Sequence, residues 1–256
     1  MASTQQPTYL DLQARIGITK HTGGYPATER LLDLCRVREG SEVLYVGSGI
    51  GVGPAHLART RRARVVATDI SEQMLAWTRI RARRDHVAHL VSTQRADVLD
   101  LPFPAGSFDV VLVESVLAFV VDKQRAISEC VRVSRSGGWV GMNETVWRAD
   151  PPEGDRALAA DTALGTFLVT RAQWRTLWAG SGLVDQTHEW YDLDIAQETR
   201  RRVAWIGWRW LLPAWGRVLK LVVSDPTARK ALRAQISYPA SLANEMGYVL
   251  SAGRRP

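Results

Sequence analysis

Cysteine is scarce in this chain, and its scarcity excludes two classes of small fold. Two cysteines, Cys35 and Cys130, occur among 256 residues, far apart and within stretches of helical pattern. A disulfide framework or a cysteine-ligated metal site needs several cysteines at short spacings. We therefore expect two reduced thiols packed as small apolar side chains, no metal ion, and a cytoplasmic location.

Long apolar runs, repeats and low-complexity tracts are also lacking. The first residues, MASTQQPTYLDLQ, have no basic start followed by an apolar run, so they do not predict a secretory signal. The tryptophan-rich region 203–223 contains three charges and Pro213, which argues against a membrane-spanning helix. With 46% apolar residues the chain can still bury a full core.

Acidic residues are rare in the last quarter of the chain. From Arg200 to the end, eleven lysines and arginines face two acidic residues, Asp225 and Glu245, and the whole chain carries a formal charge of +7. Such a balance suits nucleic acid or an anionic membrane. Arginine also accumulates in chains of GC-rich origin, so the charge alone decides neither.

Apolar strands alternate with amphipathic helices from about residue 28, a pattern typical of a parallel α/β fold. We predict one domain with a core over about 28–194 and 246–256, in which residues 195–245 form a helical cap inserted between the last two strands. Residues 1–27 are predicted to form an N-terminal lid.

The first strand runs into a glycine-rich turn, VLYVGSGIGVG, that opens a helix. Gly47, Gly49 and Gly51 let the backbone approach a ligand closely, and their spacing differs from the dinucleotide-binding fingerprint. Asp69 ends the second strand about twenty residues later, where a carboxylate can accept hydrogen bonds from both ribose hydroxyls. Asp97 follows the third strand and is placed to accept from an adenine amino group, with Val98 beside the ring.

Together with ADVLDLPFPAGSFDVVLVES and RVSRSGGWVGMNE, these motifs resemble the class I S-adenosylmethionine-dependent methyltransferases of the quinone and sterol C-methyltransferase type. The resemblance covers residues 40–147. It implies a doubly wound, Rossmann-like α/β sheet of seven strands with an antiparallel last strand, and S-adenosylmethionine as cofactor. The cofactor contacts that we expect are Tyr25, Gly47, Ser48, Gly49, Asp69, Ile70, Met74, Asp97, Val98 and Glu114.

Two positions depart from the family's usual pattern. Tyr45 stands where an acidic residue commonly holds the cofactor's amino group, and Ile50 where threonine is common. A tyrosine hydroxyl accepts a hydrogen bond but cannot pair with an ammonium group. The departures leave open a weakened or repurposed cofactor site.

Residues for the transfer itself are harder to assign. The segment HTGGYPAT could close over the cofactor and place Tyr25 near the sulfonium, which aromatic faces attract. If the acceptor needs a base, His21 and Glu144 are the candidates that we choose. Ser115, Asn143 and Glu144 end the fourth and fifth strands and are predicted to meet the substrate; an ordinary loop and satisfied structural side chains are the alternatives.

Four tryptophans, the first Trp205 and the last Trp215, fall within eleven residues of the predicted cap. On a helical wheel Trp205 and Trp208 share one side with Leu212, and the arginines gather on another. The pattern allows a helix packed by its apolar side, a lining for a lipid-like substrate by Trp205 and Trp208, or contact with a membrane surface. We favour rings turned toward an interior and arginines toward water.

The sequence thus predicts a methyltransferase for a small, hydrophobic acceptor. Nucleic-acid methylation is disfavoured because the fourth strand ends in Glu114-Ser115-Val116 and not in the signature of amino-base methylation, so no nucleic-acid partner is expected. A cofactor-binding fold without methyl transfer is the other alternative. Peripheral membrane contact and a homo-oligomer are left open.

Overall fold

The computed structural model describes residues 9–161, 165–236 and 244–256. One mixed sheet of seven strands forms its centre, in the order β3-β2-β1-β4-β5-β7-β6, and β7 runs antiparallel to both of its neighbours. The predicted Rossmann-like fold class is therefore confirmed. The strands are β1 (Glu42–Val46), β2 (Arg64–Asp69), β3 (Val91–Arg95), β4 (Phe108–Glu114), β5 (Ser134–Trp147), β6 (Val184–Asp192) and β7 (Met246–Arg254).

Ten helices accompany the sheet in the part of the chain that the structure describes. They are α1 (Tyr9–Ile16), α2 (Gly24–Leu34), α3 (Val52–Arg61), α4 (Glu72–Arg84), α5 (Lys123–Val133), α6 (Glu153–Asp161), α7 (Arg171–Ala179), α8 (Ile195–Ile206), α9 (Trp208–Ser224) and α10 (Pro226–Ile236). A 3₁₀ turn, Leu117–Phe119, follows β4.

The burial of the strands follows from helices on both faces of the sheet. Helices α2, α3 and α4 pack on one face, and α5 and α7 pack on the other. Strands covered on both faces need continuous apolar runs, as in EVLYV of β1. Strand β3, VSTQR, lies at the sheet edge and is mostly polar. Cys35 and Cys130 are buried free thiols within these two layers.

Helices α8, α9 and α10 are inserted between β6 and β7, where the predicted cap begins at residue 195. They pack against α1, since Leu12 and Ile16 of that helix share an apolar cluster with Ala214 and Leu221 of α9. An ion pair of 2.8 Å between Arg15 and Asp225 ties α1 to the start of α10. The remainder of the predicted lid and cap, residues 1–8 and 237–243, lies outside the described residues.

Most large apolar side chains of helix α9 face solvent, whereas we expected them to face the interior. Trp210, Ala214 and Leu221 are buried beneath it, and Arg217 also points inward, donating a hydrogen bond of 2.5 Å to the Ile16 carbonyl. The expected separation of interior rings from solvated arginines is therefore wrong for this helix. Its exposed side carries large apolar residues, each between 62% and 73% exposed: Trp208, Leu212, Trp215, Leu219 and Val223. We call these five the α9 stripe.

Each helix among the described residues is too short or too polar to span a membrane.

Candidate active site

A cavity of about 820 Å³ follows the carboxyl ends of β1, β2 and β4. Ligands of open α/β sheets bind at this edge, because the crevice between neighbouring strand ends is left uncovered there. The structure brings eight of the predicted site residues together on its wall: Gly47, Gly49, Asp69, Ile70, Met74, Asp97, Val98 and Ser115.

The glycine turn has no room for side chains. Gly47 has a φ of 71°, in the left-handed region, and a Cβ there would collide with the Val116 side chain. A Cβ on Gly49 would lie 2.8 Å from the Thr19 hydroxyl oxygen. The bare backbone of the turn is consequently available to a ligand, as the sequence predicts.

Asp69 is fixed by the backbone of two neighbouring turns. Its Oδ2 accepts a hydrogen bond from the Gly49 N–H and its Oδ1 one from the Ser71 N–H, both at 2.9 Å. Burial raises the pKa of this carboxyl, and the backbone donors oppose the increase. Since each carboxylate oxygen has a second lone pair, both can still accept from a ligand hydroxyl.

Asp97 lies at the far end of the same cavity. Its Oδ1 accepts a hydrogen bond of 2.9 Å from the Leu99 N–H, which orients the exposed carboxylate. Val98 and Met74 are buried and Ile70 is exposed along the same wall. The end of the cavity therefore offers apolar contacts beside one acceptor, an environment suited to a planar base that carries an amino group.

A buried polar cluster lies beside the cavity and accounts for Tyr45. The Tyr45 hydroxyl donates to Glu114 at 2.5 Å, and the Thr28 hydroxyl donates to the same carboxylate at 2.9 Å. His21 Nε2 approaches Glu114 to 3.2 Å. Burial alone would raise the pKa of Glu114, but His21 and the donated hydrogen bonds hold it below its usual value. Gly53 leaves space for the Tyr45 hydroxyl, because a Cβ there would collide with it.

This cluster changes the roles that the sequence suggested for Glu114 and His21. Neither residue is on the cavity wall, and both are buried with each other as partners. Glu114 lies beneath the ligand-facing surface, on the face of β4 that also carries Leu112. Ser48 is likewise buried and exchanges a hydrogen bond of 3.1 Å with the Thr78 hydroxyl.

Tyr25 and Trp205 also lie away from the cavity wall. Trp205 stacks on His21 at 4.1 Å between ring centroids and packs against Tyr25 at 4.6 Å. The Tyr25 hydroxyl donates to the Trp205 carbonyl at 3.2 Å. These contacts attach α8 to α2, which corrects the expectation of Tyr25 at the sulfonium and of Trp205 at the substrate. Trp208, expected beside it, is 62% exposed at the surface.

Glu144 and Asn143 have structural partners as well. Glu144 is buried and its carboxylate accepts from the backbone N–H groups of Val116, Leu117 and Ala118 at 2.9, 2.9 and 3.2 Å. Burial raises the pKa of Glu144 to about 7, and these donors limit the increase. Asn143 donates to the Thr22 carbonyl at 2.9 Å. Both side chains position the loops that form the cavity and do not line it.

A second cavity, of about 420 Å³, lies between α1, the inserted helices and β5. Its wall is mainly apolar, and its polar groups include those of Lys20, Arg202, Thr22 and Thr145. Five residues line both cavities: Gln13, Thr19, Lys20, Ser115 and Phe119. The two cavities therefore adjoin one another at this position.

Ser115 stands at this junction in a strained conformation. Its φ is 60°, which is uncommon for a residue with a side chain, and its N–H donates to the Asn143 carbonyl at 2.8 Å. Its hydroxyl is buried and has no hydrogen-bond partner among the described residues. Backbone strain and an unsatisfied polar group at a cavity junction are typical of functional positions.

Sequence reasoning missed Gln13, Thr19, Lys20, Phe119 and Arg202 on these walls. Four of them belong to segments without a motif, and only tertiary packing brings those segments to the strand ends. The single available signal was the amphipathic pattern of α1, which marks a packed helix but not the cavity that it covers.

Known proteins share the fold and the central motifs. Residues 44–142 match a family described as methyltransferase domain. The 27-O-demethylrifamycin SV methyltransferase of Amycolatopsis mediterranei (strain S699) is 27% identical over 176 residues, 68% of this chain and 63% of that protein. The ubiquinone/menaquinone biosynthesis C-methyltransferase UbiE of Enterobacter sp. (strain 638) is 34% identical over 109 residues, 42% of this chain and 43% of that protein.

Among solved structures, the [4+2]-cyclase SpnF superposes with a TM-score of 0.70 at 21% identity, covering 96% of this chain and 92% of that one. The chain spans about half the length of the curated relatives it matches. Residues 44–142 thus match a methyltransferase domain, a family whose cofactor is S-adenosylmethionine, and in this segment the chain is similar to the quinone C-methyltransferase UbiE. The resemblance seen in the motifs is thus confirmed.

Proposed function

We propose that this chain transfers the methyl group of S-adenosylmethionine to a small, largely apolar acceptor bound in the second cavity. The observation that carries the proposal is the junction of the two cavities at Ser115. A methyl group leaving a sulfonium must meet its acceptor in line and away from water. Two adjoining cavities, one at the strand ends and one beneath the inserted helices, satisfy that requirement.

In this proposal the backbone of Gly47 and Gly49 receives the methionine part of the cofactor, Asp69 the ribose and Asp97 the adenine. Ile70, Met74 and Val98 add apolar contacts along the same wall. S-adenosylmethionine supplies an activated methyl group when bound.

The acceptor cavity favours apolar ligands. Leu12, Ile16, Ile206, Leu211 and Leu232 form much of its wall, and burial of apolar ligand surface there contributes roughly 25 cal/mol per Å². In the proposal, α8–α10 and α1 act together as the cap that closes this cavity.

General base catalysis is not an evident part of the site. The five residues shared by the cavities include no carboxylate, and the carboxylates of Glu114 and Glu144 are occupied by buried partners. A base is required only if the acceptor is protonated in its ground state. The arrangement therefore suits an acceptor that reaches the cavity as a ready nucleophile.

The proposal is tested in two steps: an acceptor is first identified, and the second cavity, the acceptor cavity, is then filled by a larger side chain. Small molecules released from the denatured protein are identified by mass spectrometry and tested as acceptors, with S-adenosylhomocysteine formation as the readout. Leu211→Trp should reduce acceptor-dependent turnover at least about tenfold while S-adenosylmethionine affinity stays within about twofold. Ile80→Trp, at an exposed position of α4 that lines neither cavity, is the matched control. Full turnover in Leu211→Trp would contradict the assignment of this cavity.

A non-methylating role is the second candidate. The missing base at the junction favours it, and the fold shared with a [4+2]-cyclase shows that this architecture also occurs in a protein of that name. The two functions separate in one assay, because methyl transfer consumes S-adenosylmethionine and a rearrangement does not. Product formation that persists with S-adenosylhomocysteine in place of S-adenosylmethionine would establish the second candidate.

We also propose that the α9 stripe contacts an anionic membrane surface. The stripe follows one side of the helix at helical spacing, and the basic residues Arg209 and Lys220 lie along one edge of it on the wheel. An apolar face with cations along its edge is typical of helices that lie in a membrane interface. A second copy of this chain is a less suitable partner for the stripe. Antiparallel pairing of two α9 helices would bring Arg209 of one near Lys220 of the other, and these like charges repel.

Vesicle sedimentation tests the contact. Wild-type protein should bind phosphatidylcholine vesicles containing phosphatidylglycerol and bind pure phosphatidylcholine weakly, and Trp208→Ala/Trp215→Ala should lower partitioning at least about tenfold. Phe167→Ala/Val184→Ala removes exposed apolar side chains elsewhere and should bind as wild type does. Equal binding by the tryptophan variant would refute the contact. If wild-type protein is a dimer in solution and this variant is a monomer, the stripe serves self-association instead.

A further inference from the structure

Two cations lie on the wall of the acceptor cavity without acidic partners. Lys20 follows α1 and Arg202 belongs to α8, and both line the cavity of about 420 Å³. Neither forms an ion pair within the part of the chain that the structure describes, although other basic residues nearby do. Arg201 pairs with Glu198 at 3.1 Å and Arg15 pairs with Asp225 at 2.8 Å.

The electrostatics of the pair favour a negative ligand. Burial and the positive charge of Arg202 lower the pKa of Lys20 to about 8. Two like charges in a cavity with apolar walls are costly until an anion compensates them. No aspartate or glutamate among the described residues lines this cavity.

We propose that Lys20 and Arg202 bind an anionic group, a carboxylate or a phosphate, at one end of an otherwise apolar acceptor. The inference rests on the proposed function and names the acceptor's chemical class. Arg202 lines only the acceptor cavity, whereas Lys20 lines both. That placement assigns the anion to the acceptor and not to the cofactor's own carboxylate, and it sets the anionic end close to the methyl-transfer junction.

The rest of the wall fits an amphiphile of this kind. Apolar side chains of α1 and of the inserted helices, Leu12 and Leu211 among them, surround the space away from the cations. The hydroxyls of Thr22 and Thr145 form a hydrogen bond of 3.1 Å with each other on the β5 side. An apolar tail can occupy the former region while the head meets Lys20 and Arg202.

Calorimetric titration of the S-adenosylhomocysteine-saturated protein tests the inference with octanoate, octyl phosphate and octanol as probes. Wild-type protein should bind octanoate or octyl phosphate at least about tenfold more tightly than octanol. In Lys20→Met/Arg202→Met that preference should fall to within about twofold, while Arg38→Met/Arg59→Met, which removes two exposed cations that line neither cavity, should retain it. The preference should also shrink as the pH rises through about 8, because Lys20 loses its charge there.

Three results would overturn the inference. The first is equal affinity for octanol and both anions in wild-type protein, and the second is a preference that survives in Lys20→Met/Arg202→Met. The third is a Lys20→Met variant that loses S-adenosylhomocysteine affinity yet keeps the preference, which would assign Lys20 to the cofactor. Failure of wild-type protein to bind S-adenosylhomocysteine would instead refute the proposed function, so the two failures are distinguishable. The two anions separate a carboxylate head from a phosphate head.

Discussion

Replacing Asp69 by alanine removes the acceptor on which the cofactor assignment depends most. The carboxylate lies between the glycine turn and α4, where it accepts the N–H groups of Gly49 and Ser71 at 2.9 Å and faces the cofactor cavity. In the complex it would also accept from both ribose hydroxyls. The substitution therefore removes a charged acceptor and releases the Gly49 backbone from its fixed position.

The magnitude follows from the hydrogen bonds lost. Leaving a buried hydroxyl without a charged acceptor costs about 1–3 kcal/mol, which corresponds to roughly 5- to 150-fold in affinity. The unpaired N–H groups of Gly49 and Ser71 affect the free and bound protein alike. Losing the hydrogen bonds that these two N–H groups donate should lower the free energy of unfolding and change the binding free energy little.

Isothermal titration with S-adenosylmethionine and S-adenosylhomocysteine measures the change, with denaturant unfolding of the same variants alongside. Asp150→Ala is the control. Asp150 is exposed and forms an ion pair with Arg156 outside the cofactor cavity, and such a surface ion pair contributes little to stability. Asp69→Ala with wild-type affinity for both ligands would refute the cofactor assignment.

Three further predictions concern the buried groups. Tyr45→Phe removes a donor to the buried Glu114 and should lower the free energy of unfolding by roughly 1.5–3 kcal/mol, with cofactor affinity within about twofold. A large loss of affinity at unchanged stability would place Tyr45 in the cofactor site instead. Glu144→Ala leaves three backbone donors without their acceptor and should destabilise by at least about 1–3 kcal/mol in urea unfolding; unchanged stability would contradict that role. The pKa of Glu144 is raised from 4.5 to about 7, so its stabilising contribution is complete below pH 4.5 and is lost as the pH rises through about 7. Unfolding free energy measured across that range should fall less steeply in Glu144→Gln than in wild type, and equal slopes would contradict it.

The parts of the site that follow from local chemistry were predictable from sequence. The turn after β1 needs glycine at residue 47 because the left-handed φ and the Val116 side chain leave no alternative, and that requirement is visible in the sequence. Asp69 and Asp97 come at the ends of apolar segments, and parallel strands bring such ends to one edge. Local pattern and topology were sufficient there.

The direction in which a buried acid points was not predictable from sequence. Glu114 and Glu144 follow strands in the same way as Asp69, yet each is taken up by partners from distant segments, namely Tyr45 and Thr28 for Glu114 and a 3₁₀ turn for Glu144. Periodicity gives the side of a helix but not what covers it. For that reason the wheel grouped Trp208, Leu212, Trp215 and Leu219 correctly but assigned the wrong direction to them, and it wrongly added Trp205, which belongs to α8 and is buried.

A crystal structure of the complex with S-adenosylhomocysteine would show whether the two adjoining cavities hold the methyl donor and its acceptor. We predict the ribose at Asp69, the adenine beside Asp97 and Val98, and the sulfur directed toward the junction at Ser115, where the cavity beneath α8–α10 opens. A ligand bound elsewhere, or a sulfur directed away from that junction, would contradict the claim that the two cavities hold the methyl donor and its acceptor.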